Sequence, residues 1–440
     1  MPGWENAPSS AHIQDVRERN LALVLAAVQR RGAASLGELA DDTDLVPGAI
    51  NKLVSQLFDL GFLIDHSTRG SGRRGRPERI LTIGDSVALA VGIDVNTEGI
   101  AIRVEQLSGK LLGSVSLAAP GRISLQEIGR RSADALYSLL NTQRGIKTPL
   151  AMTVALPSLV ANGIINSPSR GWHRVSTTVF SDAFDLQIRS FEAVNDGVAA
   201  VTAEYWASGR ARYSSLALLH GTDGIAGGVI DHGSRVGGWE GAAGSFGHIV
   251  VKPNGHLCPC GQHGCLWRYA SVEAIARAAG LNVGQGYRPL LDVAKELAEL
   301  ARSGEPQTLQ ALASAKHYIQ RAIAILGPVV SPEQVVVSGN LVPLFDWIVP
   351  DTPARGITDG MLINWERPVI RSDFGTESVV VGAAWLSRRA ILNTPLHWRP
   401  TDSGGDPEAR RPGLLLQPEH HTSPLSPAQS PVEATVRRSS

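Results

Sequence analysis

Three cysteines occur in this 440-residue chain, and all stand in one octapeptide, Cys258-Pro-Cys260-Gly-Gln-His-Gly-Cys265. Thiolates are soft ligands for borderline cations, and His248, ten residues upstream of Cys258, adds an imidazole. One nitrogen and three sulfurs close a tetrahedral shell with no position left for water. The chemistry expected is therefore a structural zinc ion (Zn2+) rather than a catalytic one. Gly261 and Gly264 let the chain turn tightly around it. His256 and His263 are alternative ligands, and three free buried thiols are the reading without a metal. Such clustering also argues against a disulfide framework and for a reducing compartment.

A second group of residues has the chemistry of DNA contact. Between residues 69 and 79 stand five arginines, Arg69, Arg73, Arg74, Arg76 and Arg79, against one acid, Glu78. The segment Arg74-Gly-Arg76-Pro is slim and extended, a form that can carry Arg into a narrow, electronegative minor groove. A merely solubilising loop is the alternative. Upstream, Asn51, Lys52, Ser55 and Gln56 share the polar face of a predicted helix. Asn and Gln can pair bidentately with adenine, and Lys can reach guanine or phosphate. Ordinary solvated positions are the competing reading.

The elements that must hold these residues are legible in the hydrophobic pattern. Val16, Leu21, Leu23, Val24, Leu25 and Val28 predict an amphipathic helix ending at Arg31-Gly32. Ser35 with Glu38 has the form of a capping box before a short helix to Asp42. Thr43 to Val46 is a turn, and Pro47 opens a third helix with Ile50, Leu53, Val54, Leu57 and Leu60 on its apolar face. Two strands then flank the Arg-rich run. Residues 13–83 thus read as a winged helix-turn-helix behind a flexible stretch, 1–12. Strand-like runs alternate with helices from 87 to 392, an α/β body. Residues 393–440, rich in Pro, Ser and charge, are expected to form a disordered tail. A weak duplication within the body is suggested by two strand-then-turn elements, at Val91 to Asp94 and Leu218 to Val229.

Composition limits the partners. Lys plus Arg and Asp plus Glu both total 41, so no global field draws the chain to nucleic acid or membrane, and contact with DNA must be local. No apolar run approaches the ~18 residues a spanning helix needs, and the N-terminus lacks the pattern of a secretory leader. The expectation is a cytoplasmic protein with no membrane partner.

Gly247-His248 followed by Cys-Pro-Cys-Gly-Gln-His-Gly-Cys, downstream of Gly241-Ala-Ala-Gly, resembles the signature of the ROK family (repressor, open reading frame, kinase). With an amino-terminal winged helix the chain looks like the family's transcriptional-regulator branch, of the xylose and N-acetylglucosamine repressor type. The resemblance implies a two-lobed, actin-like sugar-kinase fold in a homodimer or homotetramer. It implies that Asn195 and Asp196 bind sugar, with Asp196 as the base of a kinase; capping of a helix is the alternative for Asp196. His248 would contact sugar as well as metal. Ser245 and Trp267 stand where the family has glutamates, so Trp267 either stacks on a sugar face or fills the pocket. The family's kinases need Asp-x-Gly-Gly-Thr after the first strand of the body. This chain has Asp94-Val-Asn96-Thr97-Glu98, and Asp223 in its second phosphate loop. Carboxylates there would repel a polyphosphate. The expected function is a regulator, in the repressing sense, of carbohydrate genes. It binds double-stranded operator DNA, senses a sugar or sugar derivative and has no ATP-dependent kinase activity, leaving Asp196 vestigial. The alternatives are an active carbohydrate kinase with a DNA-binding appendage, or a regulator controlled by a protein partner.

Overall fold

The computed structural model describes residues 10–69, 78–118, 123–141, 149–167, 170–184, 186, 188–283, 288–349 and 369–398. Helix α1 (Ser10–Arg31) is followed by strand β1 (Ala34–Ser35), α2 (Leu36–Thr43), α3 (Pro47–Asp59) and the antiparallel strands β2 (Leu63–Arg69) and β3 (Glu78–Ile83). Ser35 and Glu38 make the reciprocal capping box that their spacing predicts. Asp44 then adopts a left-handed conformation, φ 55°, to turn the chain into α3. Strand β1 is an addition; it pairs with β3 to give the order β1-β3-β2, and two residues are too few to show a period. Helix α1 begins at Ser10, three residues before the expected start. Of its predicted apolar face, Val16 and Leu23 are 49% and 41% exposed, while Leu21, Val24, Leu25 and Val28 are buried.

The body rests on two sheets. The first, in the order β11-β7-β4-β5-β6, contains β4 (Leu89–Val95), β5 (Gly99–Glu105), β6 (Leu111–Ala118), β7 (Leu150–Leu156) and β11 (Ile188–Asn195), with α4 (Leu125–Asn141) between β6 and β7. A small antiparallel sheet, β8 (Leu159–Ala161), β9 (Ile164–Ser167) and β10 (Trp172–Ser176), and the one-turn helix α5 (Thr178–Ser181) precede β11. Helix α6 (Asp196–Thr202), continued by a π-turn, leads to the second sheet. Its order is β14-β13-β12-β15-β16, from β12 (Ser215–Gly221), β13 (Ile225–Asp231), β14 (Ser234–Arg235), β15 (Gln334–Gly339) and β16 (Val369–Arg371). Between β14 and β15 lie α7 (Trp267–Ala270), α8 (Val272–Ala278), α9 (Leu290–Arg302) and α10 (Pro306–Val330); α11 (Phe345–Ile348) and α12 (Ser378–Asn393) follow β15 and β16. In each sheet an antiparallel meander of three strands is extended by two parallel strands on the side of its first strand. That shared topology is the duplication the sequence hints at.

Helix α12 joins the lobes to the N-terminal unit. A Cβ on Gly92 of β4 would lie 2.3 Å from the Ala384 nitrogen and 2.6 Å from the Val380 oxygen, so only glycine lets the helix approach the strand so closely. At its other end, Ile391 and Leu392 enter one core with Leu21, Val24 and Leu25 of α1 and with Ala88, Ala90 and Ala151. The boundary expected at 393 therefore falls too early. Pro395–Trp398 forms a further helical turn, Trp398 is 2% exposed, and the Leu396 amide donates to Glu18 Oε1 at 3.2 Å. Pro- and Ser-rich composition conceals one anchoring aromatic. The rest of the expected tail, and residues 1–9, lie outside the described residues.

Candidate functional site

The Cys-rich knuckle is shaped by short backbone ties. Val251 donates to Gly264 at 2.9 Å, Gly264 to His256 at 2.9 Å, and Cys258 to Gln262 at 2.8 Å. Gly264 has φ +83°, and a Cβ there would sit 1.7 Å from the Lys252 oxygen; no other residue closes this turn. The result brings His248, Cys258, Cys260 and Cys265 together, with one ligand atom from each within 4.8 Å of all the others. Cys258 Sγ is 3.6 Å from His248 Nδ1, and Cys260 Sγ is 3.6 Å from Cys265 Sγ. A tetrahedral zinc with standard bond lengths has edges of about 3.6 Å (N to S) and about 3.8 Å (S to S). The four residues thus fit such an ion. Burial pushes the Cys265 thiol up to about 12 and holds His248 below its usual value. The imidazole is thereby kept neutral, as a ligand must be, and a cation is what would favour the thiolates. The alternative ligands point elsewhere. His256 stacks on Tyr269, and His263 Nδ1 contacts the Gly255 carbonyl.

Of the other expected residues, Asp196 acts on Asp94 and Trp267 bonds Asp223, both in the cleft between the lobes, but Asn195, Asp196, Ser245, His248 and Trp267 are not among the residues that line the cavity there. Asn195 caps α6, accepting from Gly197 at 2.9 Å and donating to the Ser158 carbonyl at 3.0 Å. Asp196 is 3% exposed, and its Oδ1 also accepts from the Gly197 amide at 2.9 Å. Burial pushes Asp196 up to about 6, against the pull of that amide and of Arg170. Asp94, 6% exposed, is pushed up to about 7 by burial and then by the Asp196 carboxylate. Trp267 donates its indole N–H to the Asp223 carbonyl at 3.2 Å, lies against Gly224, and meets His248 edge to face at 5.9 Å. Its polar group is thus spent on the second loop. Ser245 is exposed and donates to the Ala242 carbonyl at 2.9 Å. A cavity of about 120 Å³ opens among Asp94, Asn96, Glu98, His220, Asp223 and Asn340; small-molecule sites are typically roughly 300–1,000 Å³.

The cleft acids give a pH prediction. A carboxyl whose folded pKa is raised stabilises the fold while protonated, so Asp94 contributes below about pH 4 and its contribution is lost as pH rises through about 7. Asp94→Asn should therefore melt like the parent at pH 4 and be more stable by about 2–4 kcal/mol at pH 8. A variant less stable than the parent at pH 8 would mean that the charged carboxylate is needed.

In the N-terminal unit, α3 presents Lys52 and Ser55 to solvent. Two expected base readers are engaged within the chain. Asn51 Nδ2 donates to the Pro47 carbonyl at 3.1 Å, and Gln56 Oε1 accepts from Arg17 Nε and Nη2 at 2.9 and 2.6 Å. Arg17 had no sequence signal, because its partner is 39 residues away. Arg79 folds back over the Phe58 ring at 4.3 Å and donates to Asp65. Arg69 ends β2; Arg73, Arg74 and Arg76 lie outside the described residues. Among the described residues no helix is long and apolar enough to cross a membrane.

Comparison with known proteins agrees with this architecture. The DNA-binding transcriptional dual regulator NagC of Escherichia coli is 25% identical over 395 residues, 86% of this chain and 94% of NagC. A glucokinase of Thermotoga maritima is 30% identical over 272 residues, 57% of this chain and 81% of the kinase. The crystal structure of a ROK family transcriptional regulator, a homolog of the E. coli MLC protein, shares the fold with a TM-score of 0.69 at 21% identity, over 87% of this chain and 99% of that one. The family's own model matches residues 90–390, a span holding both five-stranded sheets, the cleft and the knuckle, and on that match the chain belongs to the ROK family.

Proposed function

We propose that this protein is a DNA-binding transcriptional regulator, acting as a repressor of carbohydrate genes. Residues 13–83 serve as a winged helix-turn-helix: α3 reads the major groove through Lys52 and Ser55, with Asn51 and Gln56 beside them, and the arginines from Arg69 to Arg76 reach phosphate and minor groove. The observation that carries this reading is the position of the N-terminal unit, three helices and a small antiparallel sheet built onto a ROK body. Similarity to NagC, itself described as DNA-binding, runs through both parts. The body senses a sugar or sugar derivative at Asn195, Asp196, Ser245, His248 and Trp267, and zinc held by His248, Cys258, Cys260 and Cys265 braces that pocket. Two readers related by symmetry make a homodimer or homotetramer the working form.

The test is capture and sequencing of genomic fragments bound by the full-length protein. Sharp palindromic peaks are expected, and Arg74→Ala with Arg76→Ala should weaken binding and reduce the slope of log affinity against log salt by roughly 2, at about 0.9 per phosphate contact. An unchanged slope would contradict the arginine contact. A sugar panel that leaves DNA affinity unaltered would favour control by a protein partner.

The second reading, an active carbohydrate kinase, is favoured by the retained Asn195-Asp196 and by the glucokinase similarity. Against it stand Thr97, Glu98 and Asp223 in the two loops that would hold phosphate. An ATP-coupled assay with glucose, N-acetylglucosamine and xylose should give no turnover; turnover abolished in Asp196→Asn would reverse the order of the two readings.

A further inference from the structure

The turn between β4 and β5, in the first lobe, faces the turn between β12 and β13, in the second, and the two are joined by side chains. Thr97 Oγ1 donates to Asp223 Oδ1, and Arg170 donates to Asp223 Oδ2. The Arg170 and Asp223 side chains are only 18% and 24% exposed, so water screens this pair less than a surface ion pair. A second tie lies alongside. Helix α9 has Pro289 at its N-cap and no capping side chain of its own. Glu98 Oε1 supplies the missing acceptor, taking the Leu290 amide at 2.6 Å across 192 residues of sequence. The orphan amides and positive dipole end of a helix are where a carboxylate is most favourable. The turn that carries Thr97 and Glu98 is itself fixed, because Asn96 Oδ1 accepts from the Glu98 and Gly99 amides at 2.9 and 3.1 Å.

We propose that the cleft is clasped by the chain's own carboxylates, Asp223 on Thr97 and Arg170 and Glu98 on the start of α9, so that the lobes part only when both ties break together. The clasp acts as a conformational latch. It holds the lobes in one relative position without any nucleotide, and a ligand that opens the cleft must displace two internal anions from their donors. The inference goes beyond the regulatory reading and does not depend on it.

Hydrogen exchange of the full-length protein, followed by mass spectrometry, tests it. In Glu98→Ala the amides at the start of α9 should exchange at least tenfold faster. Glu98→Gln keeps a carbonyl acceptor but loses the charge, and should exchange at a rate between the parent and Glu98→Ala. In Asp223→Ala, residues 95–99 and 222–225 should both exchange faster, while the segment around Cys258 to Cys265 keeps its protection. Thr97→Cys with Asp223→Cys should crosslink on mild oxidation and slow exchange in both turns below parental rates. Parental exchange in Glu98→Ala and Asp223→Ala, or a folded double-cysteine protein that does not crosslink, would overturn the clasp. Should Asp223→Ala fail to fold, the Glu98 pair and the crosslink decide. None of these readouts uses DNA or ATP, so their failure is separate from failure of the proposed function.

Discussion

Replacing Cys265 by serine should cost the body several kcal/mol and lower its melting temperature by roughly 6–20 °C. Cys265 is fully buried, 3.6 Å from Cys260 and beside His248 and Cys258. A serine hydroxyl is a poor substitute for a thiolate toward zinc, and binding free energy at a structural site is folding free energy. At about 2–4 °C per kcal/mol for a domain of this size, a loss of 3–5 kcal/mol gives the stated shift. Elemental analysis of the purified protein should find one zinc per chain in the parent and little in the variant. A strong chelator should reproduce the variant's melting curve with the parent. A parent that melts unchanged after its metal is removed would leave the four ligands without a structural role.

Trp398→Ala should destabilise by about 3–5 kcal/mol, the usual cost of removing a buried large aromatic. Trp398 is 2% exposed in the core shared by α1, Ile391 and Leu392. Its loss opens a cavity between the N-terminal unit and the body, and α1 should become the first site of proteolytic cleavage. Trp398→Phe fills most of the space and should cost about half as much. If α1 is cleaved no faster in Trp398→Ala than in the parent, the turn at 395–398 does not hold the two parts together.

What the sequence makes readable is what is local. The capping box at Ser35 and Glu38, Pro47 at the head of α3, and the buried strand runs at 151–155 and 215–219 all depend on residues a few positions apart. The metal ligands are readable for the same reason, since cysteine has few other uses at such spacing. The cleft is a different case. Glu98 reads as a charge that repels phosphate, whereas in the fold it caps a helix 192 residues away. Asp223 reads as a second repelling acid and proves to be held by Thr97 and Arg170. Gln56 reads as a base reader, yet its acceptor is taken by Arg17. In each case the partner is supplied by tertiary approach, which has no period. Trp398 was hidden by its neighbours' composition rather than by distance alone.

The placement of that tryptophan bears on how the chain is made. Its N-terminal end finishes its core with Ile391, Leu392 and Trp398, and Glu18 takes the Leu396 amide across 378 residues. At about 5–20 residues per second, the ribosome needs on the order of 20–70 s to deliver them after α1 is made. During that interval α1 packs on α2, α3 and β3, and only the part of its core completed by Ile391, Leu392 and Trp398 stays open. A product ending before Ile391 would keep both sheets of the body and lose Ile391, Leu392 and Trp398 from the core around its first helix. Synthesis thereby has a built-in order: the core begun by the first helix is completed last, by a chain carried through to Trp398.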